Sequence, residues 1–220
     1  MCVNSDEADL LRLLTLNDSG GVYVDTDVLF VRPLVLGAGC VSALGIEHGD
    51  GGVSAHRAAQ LTSVDEVEPL PSRAIVCNAI LVSSVGSQSR LMARAVDTFV
   101  REYVPLTPGL SMLELHARGE WGAMGPLLLT RLLQRRPSPA EGTCVLERAA
   151  WYPISPPEAH AFFGPWDDAR DAPTWESLKR KSVAVHLWNA LTKATPLACG
   201  SLVHRLFEAN CVVCTALPCV

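Results

Sequence analysis

A chain of 220 residues that is 49% hydrophobic and 19% charged has the composition of a globular protein of one large domain. Its formal net charge of −5, with no basic stripe beyond the pair Arg135-Arg136, excludes a reader of the nucleic-acid backbone. No run of about 18 apolar residues occurs, so this chain carries no membrane span. Residues 1–10, with Asp6, Glu7 and Asp9, lack the positive start and apolar middle of a signal peptide. That leaves two readings: a cytosolic protein, or a chain that begins downstream of its targeting segment.

In chain order, Asn4 followed by Glu7 has capping-box spacing. Leu10, Leu11, Leu13, Leu14 and Leu16 then form a wide apolar helical stripe, stopped by Gly20-Gly21. Residues 22–24 predict a short buried strand ending in Asp25, and residues 28–31 a second strand segment closed by Pro33. Residues 41–46 read as a strand, 48–60 as a polar Gly-rich loop, and 75–83 as a strand. Residues 88–103 predict a helix with Met92, Val96, Phe99, Val100 and Tyr103 on one face. Residues 126–136 predict another with proline in its first turn. Residues 151–157 read as extended, 183–187 as a strand, and 201–210 as a final helix. Strands alternating with helices define an α/β class, and nothing marks a clean domain boundary, so residues 1–220 are taken as one domain.

Eight cysteines are present, at 2, 40, 77, 144, 199, 211, 214 and 219. Cys211 and Cys214 have CxxC spacing, but no second pair or paired histidine follows, so disulfides or buried thiols are the better reading than zinc. The chemistry-bearing motif is Asp25-Thr26-Asp27, directly after the apolar triplet 22–24. On a continuing strand the two carboxylates share a face, because the side-chain period is 2. Like charges so placed call for a hard divalent cation, which retains open positions for phosphate oxygens; the plainer alternative is a solvated acidic turn. Asp9 and Arg12 stand three apart on the first helix and share a face, which suits either one ligand or a surface ion pair. Asn78, in an apolar strand, needs a hydrogen-bond partner if buried, either a sugar hydroxyl or a backbone group. Gly125-Pro126, opening a helix, offers backbone N–H groups for a ligand.

The region from Asp9 and Arg12 through Gly20-Gly-Val-Tyr-Val-Asp25-Thr-Asp27 resembles the DxD sugar-transferase region of GT-A glycosyltransferases. Later blocks narrow the resemblance: Trp121-Gly122 with Gly125-Pro126 and Leu128-Leu-Thr-Arg131, Trp151-Tyr-Pro-Ile154, Val185-His-Leu-Trp-Asn189, and Cys77-Asn78-Ala79. Together they resemble the α-1,4-glycosyltransferase family, which includes lactosylceramide α-1,4-galactosyltransferases and α-1,4-N-acetylglucosaminyltransferases. The family often has a polar residue just before the glycine of its G-P pair, where this chain has Ala123-Met124.

The resemblance implies a GT-A-like, Rossmann-type nucleotide-diphospho-sugar transferase. Residues 1–135 correspond to its DxD sugar-binding region and 75–215 to its α-1,4-glycosyltransferase-like part. It implies Mn²⁺, or another divalent cation, held by Asp27 and Asp25 with His186 as a further ligand or diphosphate contact. It places Asp9, Arg12, Asn78, Trp188 and Asn189 against the donor sugar. The implied reaction is retaining transfer of a hexose or N-acetylhexosamine from a UDP-sugar to a glycolipid or glycoprotein glycan, forming an α-linkage. A Golgi-lumenal setting goes with it, with the parent protein membrane-anchored. Twenty-four residues precede Asp25, too few for the usual first β-α-β unit plus a helix, so that unit is expected to be lacking. The alternative is a non-catalytic or truncated relative that binds metal or sugar nucleotide without turnover.

Overall fold

The computed structural model describes residues 5–63, 70–84, 90–103, 122–135, 142–210 and 219. Asn4 of the expected capping box, Trp121, and the Cys211/Cys214 pair lie outside them. Two compact units interleave along the chain: residues 1–24 with 35–148, and residues 25–34 with 149–220.

The first unit is built on a mixed four-stranded sheet. Its strands are β1 (Gly21–Val24), β3 (Ser42–His48), β4 (Ile75–Ser83) and β5 (Thr143–Leu146), in the order β1-β4-β3-β5. β4 runs antiparallel to β1 and β3, and β3 runs parallel to β5. The near-continuous apolar run of β4 fits its central place, where both faces are covered. Helices α1 (Ser5–Ser19), α3 (Arg90–Tyr103) and α4 (Pro126–Arg135) supply the facing layer. The core joins Leu13 and Leu16 of α1, Leu91, Met92, Ala95 and Phe99 of α3, and Leu128, Leu129 and Leu132 of α4 to Leu44, Ile46 and Leu81 of the sheet.

Four expectations change here. Only part of the leucine stripe of α1 is core, since Leu11 and Leu14 are exposed, and Val100 of α3 is exposed as well. The strand at 22–24 is an edge strand with Val22 exposed, not a buried one. The expected loop at 48–60 contains helix α2 (Ala55–Gln60), because the Ser54 hydroxyl accepts from the Arg57 N–H at 3.2 Å and caps it. Strand β5 carried no sequence expectation and is completed only by its parallel pairing with β3. A disulfide, Cys40–Cys144, ties the approach to β3 to β5.

In the second unit, β2 (Val28–Phe30) pairs antiparallel with β6 (Ala184–His186), and Val28 is matched with His186. Around this ribbon lie α5 (Arg148–Trp151), a 3₁₀ helix (Pro156–Phe163), α6 (Asp168–Lys181), α7 (Asn189–Thr192) and α8 (Leu202–Asn210). Residues 151–157 are therefore not one extended segment: Trp151 closes a helical turn, and Pro156 opens the 3₁₀ helix. Helix α6 carried no sequence expectation, and Pro173 sits inside it. Its start is nevertheless well capped, with the Asp167 carboxylate accepting from the Ala169 and Arg170 N–H groups. Cys199–Cys219 closes this unit's C-terminal part. No helix among the described residues is long and apolar enough to cross a membrane.

Candidate functional site

Asp25 and Asp27 do not lie on a continuing strand. They bracket a turn in which the Val28 N–H donates to the Asp25 carbonyl at 3.2 Å, and the chain enters β2 only at Val28. The two carboxylates still converge, together with a third donor. Pairing of Val28 with His186 sets the end of β6 beside the start of β2, and the Leu187 N–H donates to the Asp27 carbonyl at 2.8 Å. His186 Nε2 then stands 3.2 Å from Asp27 Oδ2. One ligand atom each from Asp25, Asp27 and His186 lies within 4.8 Å of the others.

The residue after Leu187 redirects the chain. Trp188 has φ 55° and ψ 49°, the only non-glycine at positive φ among the described residues. A left-handed residue other than glycine costs about 1–2 kcal/mol. Here it turns the Asn189 N–H onto Asp27 Oδ2 at 2.6 Å. Burial alone would raise the pKa of Asp27. The hydrogen bond and charge of His186 and the Asn189 amide outweigh it, holding the carboxyl below its ordinary value. Asp27 is thus an ionised, fixed acceptor at neutral pH.

His186 is buried, and its Nδ1 has no hydrogen-bond partner among the described residues. Its ring is bracketed by Trp188, at 4.1 Å between centroids, and by Tyr152, edge-on at 6.0 Å. The Trp188 indole N–H donates to the Ile154 carbonyl at 2.8 Å, so this side chain is anchored in the interior, while Asn189 is exposed. Trp151 and Tyr152 are core residues. The donor set of two carboxylates and an imidazole fits a divalent cation that accepts oxygen and nitrogen ligands, and a cation would relieve the mutual repulsion of the two acids.

Asp9, Arg12 and Asn78 come together in the first unit, each 7% exposed. The Asn78 amide donates to Asp9 Oδ1 at 2.7 Å, Arg12 lies 3.3 Å from the same oxygen, and another Arg12 nitrogen donates to the Asn78 carbonyl at 2.7 Å. The guanidinium also covers the Tyr23 ring at 4.4 Å. The Asp9–Arg12 pair is therefore a buried lock between α1 and β4, not a surface ion pair, and the partner of Asn78 is a carboxylate. Gly125, which sequence reading valued for its amide, belongs to this group for another reason. A Cβ there would lie 2.2 Å from Asp9 Oδ2 and 2.4 Å from Asn78 Nδ2. Its N–H and that of Leu127 are both spent on the Gly122 carbonyl. The adjacency of that glycine to a proline was the only sequence signal for this close approach.

Two family models match the chain. The one described as a glycosyltransferase sugar-binding region containing a DXD motif covers residues 1–47, and the alpha 1,4-glycosyltransferase conserved region covers residues 111–218. The chain belongs to the α-1,4-glycosyltransferase family. No curated protein and no solved structure gives a match. In this glycosyltransferase the first matched segment carries Asp9, Arg12, Asp25 and Asp27, and the second carries Gly125, His186, Trp188 and Asn189.

Proposed function

We propose that the chain is the catalytic part of a Mn²⁺-dependent, retaining glycosyltransferase of GT-A type. It moves a hexose or N-acetylhexosamine from a UDP-sugar to a glycolipid or glycoprotein glycan with formation of an α-linkage, as in α-1,4-galactosyl transfer. The observation that carries this reading is the convergence of Asp25, Asp27 and His186 inside a family whose DXD region serves sugar binding. A divalent ion held there supplies Lewis-acid stabilisation of the charge that develops on a leaving diphosphate.

The chain's own residues provide the rest. Asp27, kept ionised by its His186 and Asn189 contacts, presents a ligand oxygen already oriented. Asn189, exposed beside that carboxylate, is the residue best placed to meet a donor sugar. The donor-contacting roles of Asp9, Arg12 and Asn78 rest on the family resemblance. Their polar atoms bond one another, which holds the helix carrying Asp9 and Arg12 against β4. The two disulfides support a setting in an oxidising compartment such as the Golgi lumen.

The test is UDP release from a panel of UDP-sugars with and without Mn²⁺, comparing the chain with Asp27→Ala. The expected result is metal-dependent release for one donor, lost in the variant. Absence of release for every donor from folded protein would overturn the catalytic reading in favour of a relative that binds without turnover.

A further inference from the structure

Resting on the metal-site reading above, we propose that Trp188 is a positioning residue. Its left-handed backbone and its indole together set the orientation of Asp27 and His186 as ligands for a divalent cation.

Three observations converge on it. An aromatic residue held at positive φ is strained, and such strain persists only where the surroundings over-determine it. The surroundings do so here: the Leu191 and Thr192 N–H groups both donate to the Trp188 carbonyl, at 2.8 and 3.0 Å, and the indole N–H is committed to the buried Ile154 carbonyl. The consequence of the strained conformation is specific. It delivers the Asn189 N–H to Asp27 Oδ2, and an extended residue at this position would send that amide elsewhere.

The second consequence concerns His186. A metal-ligating imidazole is commonly oriented by a hydrogen bond from its other nitrogen. His186 Nδ1 has no such partner among the described residues, so its ring is held by packing against Trp188 and Tyr152. One residue therefore steers both ligands, one through the backbone and the other through its ring.

The experiment measures Mn²⁺ alone binding to the whole chain, by isothermal calorimetry or the paramagnetic resonance of free Mn²⁺. It needs no donor, acceptor or turnover. Trp188→Phe keeps an aromatic ring on His186. Trp188→Gly removes the ring but accepts the left-handed backbone, and Trp188→Val removes the ring and resists that backbone. All are compared at matched far-ultraviolet circular dichroism and with cooperative thermal unfolding, so that only folded protein is read. Affinity is expected to stay within about threefold for Phe, to fall about tenfold for Gly and to approach a loss of about 100-fold for Val, in the range seen when supporting groups around a metal site are removed. Wild type that binds Mn²⁺ while Gly and Val lose nothing, or lose equally, overturns the proposal, even if their thermal stabilities differ. Wild type that binds no Mn²⁺ overturns the metal-site reading itself.

Discussion

Replacing Gly125 by alanine tests the buried lock in the first unit with a single methyl group. The added Cβ would stand 2.2 Å from Asp9 Oδ2, 2.4 Å from Asn78 Nδ2 and 2.7 Å from Asp9 Cγ, all well inside van der Waals contact. Neither neighbour is a flexible chain end: Asp9 is bonded to Asn78 at 2.7 Å and paired with Arg12 at 3.3 Å. Relief must come from moving the helix or breaking the Asp9–Asn78 bond. Overpacking of this kind costs about 1–3 kcal/mol, and loss of a hydrogen bond to a charged group about 1.5–3 kcal/mol. A combined loss of about 3–4 kcal/mol would lower Tm by roughly 10 °C in a chain of this size.

Differential scanning calorimetry reads the shift, with Gly122→Ala as control. Gly122 has φ +75°, and a methyl group added there would meet nothing nearer than Pro126 Cδ at 3.5 Å, so its cost is backbone strain alone, about 1–2 kcal/mol. The reasoning is refuted if Gly125→Ala is no more destabilising than Gly122→Ala. It is also refuted if the effect of Gly125→Ala adds fully to that of Asn78→Ala, because removing the Asn78 amide should relieve part of the clash.

Arg12→Lys should destabilise the chain by about 2–3 kcal/mol in urea titration, since one ammonium cannot replace a guanidinium fork that serves the Ala8 carbonyl, the Asn78 carbonyl and Asp9 together. Asp171 is fully buried; burial would raise its pKa, but two Arg170 hydrogen bonds, the Asp167 N–H and the Arg205 charge lower it instead. A lowered folded pKa gives stability that is complete above the unfolded value of about 3.9 and is lost as pH falls through the folded value. Asp171→Asn should thus be less stable than wild type at neutral pH, with the gap narrowing below about pH 4 in acid titrations followed by circular dichroism. Loss of Cys40–Cys144, with a sequence separation of 104, should cost about 1.5 kcal/mol more than loss of Cys199–Cys219, with a separation of 20, on the chain-entropy estimate. Paired Cys→Ser variants compared by denaturant midpoint check this, and equal losses would argue against the entropic account.

Much of this fold and site follows from residues near one another in sequence. Helix α1, strand β4 and helix α4 are written in local periodicity, turn residues and prolines, so their residues alone indicate them. The acidic pair Asp25/Asp27 was likewise recognisable as a candidate metal site from residue type and spacing, whereas His186 joined it only through the family resemblance of its block. What sequence could not decide was everything that depends on which distant segments meet. Strand β5 is only four residues long and gains its status from pairing with β3. Pro173 reads locally as a breaker, yet it lies inside a helix capped by Asp167. Asn78 had open candidates for its partner until the fold brought Asp9 to it across 69 residues. Residues 27 and 189 are joined only because β2 pairs with β6 and Trp188 bends backward. Local propensity and side-chain chemistry are short-range and can be read along the chain, whereas register, burial and backbone strain are set by the packing of the whole, where a residue's neighbours in space outweigh its neighbours in sequence.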